Sequence, residues 1–171
     1  MVQAPDGRIL NILRLNCEPA TGYAVCLELS ADGKTLSYPA ENTVIEFPGG
    51  DDLFFIQYDP STGYYYSLVN NNTAAYLPMQ RNVLSLSCSK DLIHWELVDT
   101  ILIDRDMLNF EVSMARHGFQ YVTWCFDGED IIYLSRTAFN EAQGFHDNNY
   151  ITFHRLKNFR ALIKKEEEMK Q

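Results

Sequence analysis

One unit recurs along this chain: an aromatic run, a turn opened by aspartate, and a second apolar run. It reads FFIQYDPSTGYYYSLVN around Asp59 and FQYVTWCFDGEDIIYLSR around Asp127, and the opening APDGRILNILRLN around Asp6 repeats its second half. The three aspartates stand 53 and 68 residues apart. A second pattern, Ser-x-Asp at a tight turn, interleaves with the first: Ser30-Ala31-Asp32-Gly33 in LELSADGKTLSY and Ser89-Lys90-Asp91 in LSLSCSKDLIHW, 59 residues apart. Apolar runs bounded by Asp, Gly, Pro and Asn clusters read as strands and turns. They predict strands near 8–15, 22–30, 53–58, 64–69, 82–88, 95–103, 118–126, 131–136 and 150–155. A long period holding two hairpins is the mark of a β-propeller blade, a four-stranded sheet radiating from a central channel.

With strands named A to D from the axis outward, the Asp-led turns join A to B and the Ser-x-Asp turns join C to D. The expected fold is therefore all-β: a partial β-propeller of about two and a half four-stranded antiparallel blades, part of a five- or six-bladed ring. The boundaries that follow are a blade remnant over 1–46 lacking its innermost strand, a complete blade over 47–103, and an incomplete blade over 104–157 with no evident fourth strand. A helical tail over 158–171, NFRALIKKEEEMKQ, is expected to be exposed, its charge run a solvated face. In the Ser-x-Asp turns the side chains accept backbone amide hydrogen bonds, and Trp95 is expected to pack between neighbouring sheets.

Composition narrows the function. At 171 residues and 46% hydrophobic, with ten Tyr and ten Phe, the chain is neither a disordered tail nor a coiled coil. A net charge of −9 excludes a nucleic-acid surface, which needs a concentrated positive field. No run of eighteen apolar residues is present, so no membrane insertion is expected. MVQAPDGRIL lacks a basic segment followed by an apolar one and is not read as a signal peptide, while a longer parent could be secreted or periplasmic. Cys17, Cys26, Cys88 and Cys125 show no CxxC spacing and read as small buried hydrophobes. His146, Asp147 and His154 lack a metal-ligand pattern, so neither metal nor cofactor is expected.

Strand alternation places the A–B and C–D turns on one face of the disc and the B–C and D–A connections on the other. The second face carries the long segments 70–81, 103–117 and 137–149, the usual location of function on a rigid scaffold. Candidate ligand-binding residues are Asn70, Arg81, His117, Gln120, Arg136 and His146, with Arg14 at the B-strand exit of the first blade. Arg14 and Arg136 follow the aspartates of their turns by eight and nine residues. With Arg81 they could converge on an anionic group, or each could pair with a nearby acid. Glycoside cleavage requires two carboxyl groups, or a Tyr nucleophile in place of one. The acids of this face are Asp104, Asp106, Glu111, Glu141 and Asp147, of which Glu141 and Asp147 are the chosen catalytic candidates.

At HGFQYVTWCFDGEDIIYLSRTAF and HDNNYITFHRLKNFR the sequence resembles the C-terminal half of bacterial sialidase-like proteins of the Asp-box type, propellers of glycoside hydrolase character. FPGGDDLFFIQYDPSTGYYYSLVN and SCSKDLIHWELV are similar to the same group, and the likeness runs from Gly7 to Arg160. The Ser-x-Asp turns fit the Asp-box in part, without its Gly-x-Thr-Trp continuation. The resemblance implies a carbohydrate ligand, places Arg14 and Arg136 in a carboxylate-binding arginine cluster, and makes Tyr150 a candidate nucleophile. It also implies a chain that forms one arc of a larger ring. Two functions follow: a glycoside hydrolase propeller acting at its loop-rich face, or a non-catalytic carbohydrate-binding or scaffold propeller. Unpaired blade edges and apolar sheet faces at the ends of such an arc favour self-association.

Overall fold

Aromatic and β-branched residues alternating about Asp- and Gly-led turns produce three antiparallel sheets in the computed structural model, which describes residues 1–73, 79–104, 109–140 and 142–163. Blade 1 contains β1 (Val2–Gln3), β2 (Ile9–Arg14), β3 (Tyr23–Leu29), β4 (Leu36–Ser37) and β5 (Val44–Glu46). Blade 2 contains β6 (Ile56–Asp59), β7 (Tyr64–Val69), β8 (Val83–Ser89) and β9 (Glu96–Ile103). Blade 3 contains β10 (Gly118–Asp127), β11 (Asp130–Ala138) and β12 (Tyr150–Leu156). The protein is thus all-β, a partial propeller whose strands pair in sequence order within blades 2 and 3 and, apart from β5, within blade 1.

Both turn families occupy their expected places. Ser89 Oγ accepts from the amides of Asp91 and Leu92, while Asp91 Oδ1 accepts from those of Ile93 and His94. The Trp95 indole closes this C–D turn by donating to the Leu92 carbonyl at 2.9 Å and packs against Phe47, with ring centroids 4.6 Å apart. In blade 1, Asp32 Oδ1 accepts from Ser30 Oγ and from the Lys34 amide in the same way.

Four expectations need correction. Blade 1 is not a remnant without an inner strand: β1 pairs with β2 across the Asp6 turn, but two residues are too few to leave a periodic signature. Its outermost position is split, with β4 pairing with Glu28 and Leu29, and β5 with Tyr23, Ala24 and Val25. The segment 103–117 is not all loop. It holds α1 (Phe110–Arg116), started by Asn109, whose side chain accepts from the amides of Glu111 and Val112. Cys26 and Cys88 are buried as expected, but Cys17 and Cys125 are exposed, because Cys17 lies outside the strands and Cys125 is on the uncovered side of β10.

The fourth correction concerns the tail. After β12 the described chain makes no further strand and enters a short helix over 159–163, α2, which is docked and not free. Phe159 and Ile163 are buried in the core between blades 2 and 3, with Tyr66, Leu84, Leu86, Trp124, Ile131 and Tyr133. The Phe159 ring stacks on Phe126 at 5.4 Å and meets Tyr66 edge-on at 5.1 Å. Beside it, Arg160 Nε and Nη2 donate to Asp59 Oδ2 and Oδ1 at 2.7 and 3.2 Å, bridging the A–B turn of blade 2 to a segment 101 residues away. Burying a Phe side chain is worth about 2–3 kcal/mol, and a charge-assisted pair about 1.5–3 kcal/mol. The two contacts therefore secure the tail about equally. The charge run beyond Ile163 lies outside the described residues.

The ion pair makes the tail sensitive to acid. Burial pushes the Asp59 carboxyl up, but hydrogen bonds from Arg160, Ser61 and Thr62 outweigh burial and hold it at about 2. A carboxyl with a lowered folded-state pKa contributes stability that is present above its unfolded value and is lost as pH falls through the folded one. Arg160→Ala should lower unfolding stability by about 2 kcal/mol at neutral pH. Urea titrations at a series of pH values should show the gap between variant and wild type closing as pH falls from about 4 toward 2. A gap that does not change with pH would contradict the pairing.

Candidate functional site

The residues of interest meet where three chain segments cross on the long-loop face. The first is the bend 48–52, PGGDD, between blades 1 and 2. Its glycines are required by close approach: a Cβ on Gly49, itself at φ +68°, would stand 2.4 Å from the Asn70 carbonyl oxygen, and one on Gly50 would stand 2.1 Å from that of Tyr23. The bend is fastened by the Leu15 amide donating to Gly50 O and the Gly22 amide to Asp51 Oδ1. It directs Asp52 inward, where the carboxylate meets Arg81 Nη2 at 2.6 Å.

Arg81 stands just before β8 and is almost wholly buried, as is Asp52. Burial pushes the Asp52 carboxyl up to about 7, with the Arg81 charge opposing and the Asp51 charge reinforcing that rise. The guanidinium continues into blade 3: Nη1 donates to Gln120 Oε1 at 3.2 Å, and Gln120 Nε2 donates to the Phe145 carbonyl at 2.6 Å. Asn70 braces the crossing by donating to the carbonyls of Arg81, Val83 and Phe119. The sequence-selected Asn70, Arg81 and Gln120 are therefore one buried structural network, with no face open to a ligand.

The accessible part lies next to it, around a residue that sequence reasoning missed. Tyr121 adopts φ +51°, a left-handed conformation for a non-glycine residue, at an irregularity in the pairing of β10 with β11. The twist turns its ring between two arginines: the Arg81 guanidinium carbon is 5.7 Å from the ring centroid and that of Arg136 is 4.9 Å. The Tyr121 hydroxyl hydrogen-bonds His146 Nε2 at 3.0 Å. Arg136 Nε donates to Asn148 Oδ1, and Nη2 reaches the His146 carbonyl at 3.4 Å. Among the described residues no carboxylate pairs with Arg136. Asp147, exposed beside His146, donates its amide to the Gly144 carbonyl.

Other expected members go elsewhere. Arg14 is exposed at the end of β2, close enough to Asp52 for its charge to act on that carboxyl. His117 is buried with its Nδ1 2.5 Å from Asp104 Oδ2, and the same oxygen accepts from Ser113 Oγ at 2.6 Å. Asn82 extends this chain by donating to Ser113 Oγ. The cluster ties α1 to the end of β9 and the start of β10, a holding role that accounts for His117 without a ligand. Tyr150 opens the other way. Opposite Thr137 in the register, it lines a groove of about 470 Å³ with Asp104, Phe119, Phe139, Thr152 and His154. Arg136 is on the opposite face of β11, so the proposed nucleophile and the proposed carboxylate-binding arginine are not brought together. Glu141 and Asp106 lie outside the described residues.

Asp52 and Tyr121 left only faint marks in the sequence. The Gly-Gly-Asp-Asp run signalled a tight bend ending in acids, whereas nothing local distinguishes Tyr121 from its strand neighbours. Among the described residues no group of three His, Cys, Asp or Glu side chains is placed to hold a metal ion. Among the described residues no helix is long and apolar enough to cross a membrane. No protein-family model matches the chain, and no curated protein matches it.

The buried pair generates a stability prediction. Arg81→Met keeps much of the side-chain volume and leaves Asp52 without its counter-charge, so stability near neutral pH should fall by about 3–5 kcal/mol. Because the Arg81 charge opposes the rise of the Asp52 carboxyl, its loss pushes that carboxyl above about 7, so the variant's stability should keep falling above pH 7, where the wild type's levels off. Denaturant melts of Arg81→Met and of Arg81→Met/Asp52→Asn check this: the double variant should recover stability and lose the added pH slope. Equal stability of both variants would show that the pair carries no buried charge.

Proposed function

We propose that the protein is a sialidase-like propeller module whose loop-rich face binds a glycoside bearing an anionic group, with Arg136 as its anchor. The observation that carries this reading is the contrast between two arginines sharing one tyrosine ring. Arg81 is buried and lies against the Asp52 carboxyl at 2.6 Å. Arg136 is held over Tyr121 by Asn148 and the His146 carbonyl without a carboxylate partner among the described residues. A guanidinium fixed in this way offers bidentate donors to a carboxylate or sulfate. The rings of Tyr121 and His146 beside it add apolar surface and hydrogen-bonding groups of the kind a sugar ring uses.

Binding without turnover is the better-supported branch. Acid-assisted glycoside cleavage needs two carboxyl groups flanking the bond, or a tyrosine in place of one. Asp52 and Asp104 are buried and occupied by Arg81, His117 and Ser113, and Tyr150 faces a separate groove. Asp147 alone has no partner acid beside Arg136 among the described residues.

Calorimetric titration with sialyllactose and with lactose is the test. The acidic glycan should bind and the neutral one should not. Arg136→Ala should weaken binding at least tenfold, about 1.4 kcal/mol, with an unchanged circular dichroism spectrum. Failure to bind any acidic glycan on a broad array would overturn the reading. Release of fluorophore from a sialoside would overturn the non-hydrolytic branch and return Asp147 to the list of catalytic acids.

A further inference from the structure

We propose that His146 sets the affinity of the Arg136 site through the Tyr121 hydroxyl: the site holds an anionic glycan tightly when the imidazole is protonated and loosely when it is neutral. The inference rests on the reading of Arg136 as an anion anchor and adds to it the group that regulates binding.

His146 meets that site at two points. Its carbonyl accepts from Arg136 Nη2 at 3.4 Å, and its Nε2 stands 3.0 Å from the Tyr121 hydroxyl oxygen, with the two rings edge to face. The loop that carries it is fastened on either side of the ring. Gln120 donates to the Phe145 carbonyl, the Phe145 amide donates to the Ala115 carbonyl near the end of α1, and the Asp147 amide donates to the Gly144 carbonyl. The imidazole itself is exposed, and among the described residues its Nδ1 has no hydrogen-bond partner. Protons therefore reach it from solvent without any rearrangement of the fold. Facing it are Arg136 on β11 and Arg81, whose guanidinium carbon is 5.7 Å from the Tyr121 ring centre and which is paired with Asp52. Asp147 follows it in its own loop, and Arg116 ends the helix to which that loop is tied.

The hydrogen bond between imidazole and phenol reverses when the ring gains a proton. A phenol O–H is the stronger donor of the two, and the bare nitrogen of a neutral imidazole the stronger acceptor, so Tyr121 donates to Nε2. The one proton of the hydroxyl is then engaged within the protein. In the imidazolium both ring nitrogens are donors, so Nε2 donates to the Tyr121 oxygen and the phenol proton turns away to another acceptor. The Tyr121 ring already lies against Arg136, 4.9 Å from the guanidinium carbon. An anion on Arg136 gains that released donor and a second positive charge beside the first. It also offsets the repulsion by which Arg136 opposes protonation of the imidazole, so anion and proton favour each other's binding. Histidine suits this role because its charge changes between about pH 5 and 8.

Calorimetric titration of the 171-residue chain with sialyllactose at pH 8, 7, 6 and 5 tests this. The carboxylate of the sugar stays ionised throughout, since α-carboxyl groups titrate below about pH 4. Affinity should rise about tenfold from pH 8 to pH 5, the effect of one hydrogen bond to a charged group. At the intermediate pH values binding should take up protons, read as a heat that changes with the ionisation enthalpy of the buffer. His146→Gln keeps a hydrogen-bonding side chain and should lose both the pH dependence and the proton uptake. Tyr121→Phe keeps the ring beside both arginines and should reduce the gain to about threefold, the part carried by charge alone. Equal affinity at pH 5 and pH 8 would overturn the inference. So would a wild-type slope in His146→Gln, which would assign the dependence to Asp52, whose carboxyl is held at about 7. The full slope in Tyr121→Phe would overturn the part given to the hydroxyl. Absence of binding at every pH is a separate result, one that overturns the reading of Arg136 itself and this inference with it.

Discussion

The ion pair between Asp52 and Arg81 fixes how the three sheets meet on the loop-rich face. Its acid comes from the bend that leaves blade 1, its base from the entry to β8, and its next partner, Gln120, from the inner strand of blade 3. Removing two charges from water costs several kcal/mol per ion, so a buried pair is weak evidence for stability by itself. Here its effect is one of position. Apolar sheets can slide over one another at little cost, because the burial of area has no direction. A guanidinium with one carboxylate and one amide acceptor tolerates little sliding. The pair converts three stacked sheets into one defined crossing.

That fixed crossing explains the strain at Tyr121. A non-glycine residue in the left-handed region persists only where its surroundings over-determine it, and such residues concentrate at functional sites. Gln120 is held by Arg81 and by the Phe145 carbonyl, so the pairing irregularity that follows has one place to occur. The ring it turns out of the strand then touches both arginines and His146. The rigid network beneath Tyr121 thus presents an aromatic surface to whatever approaches Arg136.

How far this was legible in the sequence follows from the range of the interactions. Turn chemistry is local, and the turns at Asp59, Asp127, Ser30 and Ser89 placed the strands to within a few residues and gave the blade connectivity. The short strands β1, β4 and β5 were missed because they borrow their order from β2 and β3. The seven-residue α1 was missed because its apolar residues do not span enough turns to show a period, although Asn109 ahead of Glu111 marks its start. Site residues divide in the same way. Arg81, Gln120 and His117 are unusual residue types in their context, so they stood out. Their partners did not: Asp52 and Tyr121 stand 29 and 40 residues from Arg81, and Asp104 stands 13 residues from His117, in spacings that no local pattern encodes.

The same distinction bears on why the proposed reading assigns the ligand to Arg136 and not to Arg81. The two guanidinium carbons lie 5.7 and 4.9 Å from the centre of one ring, so their charges repel across a short distance unless one is compensated. Compensation at Arg81 is built in, because a guanidinium with almost no exposure requires a counter-charge, and Asp52 is delivered to it by a bend whose glycines admit no side chain. Arg136 is half-buried and held by neutral acceptors, with no carboxylate partner among the described residues. Removing the Asp52 charge would leave two uncompensated cations beside one tyrosine and disfavour their present placement. On the proposed reading, Asp52 is therefore a positioning residue for Arg136, acting through Arg81 and the Tyr121 ring.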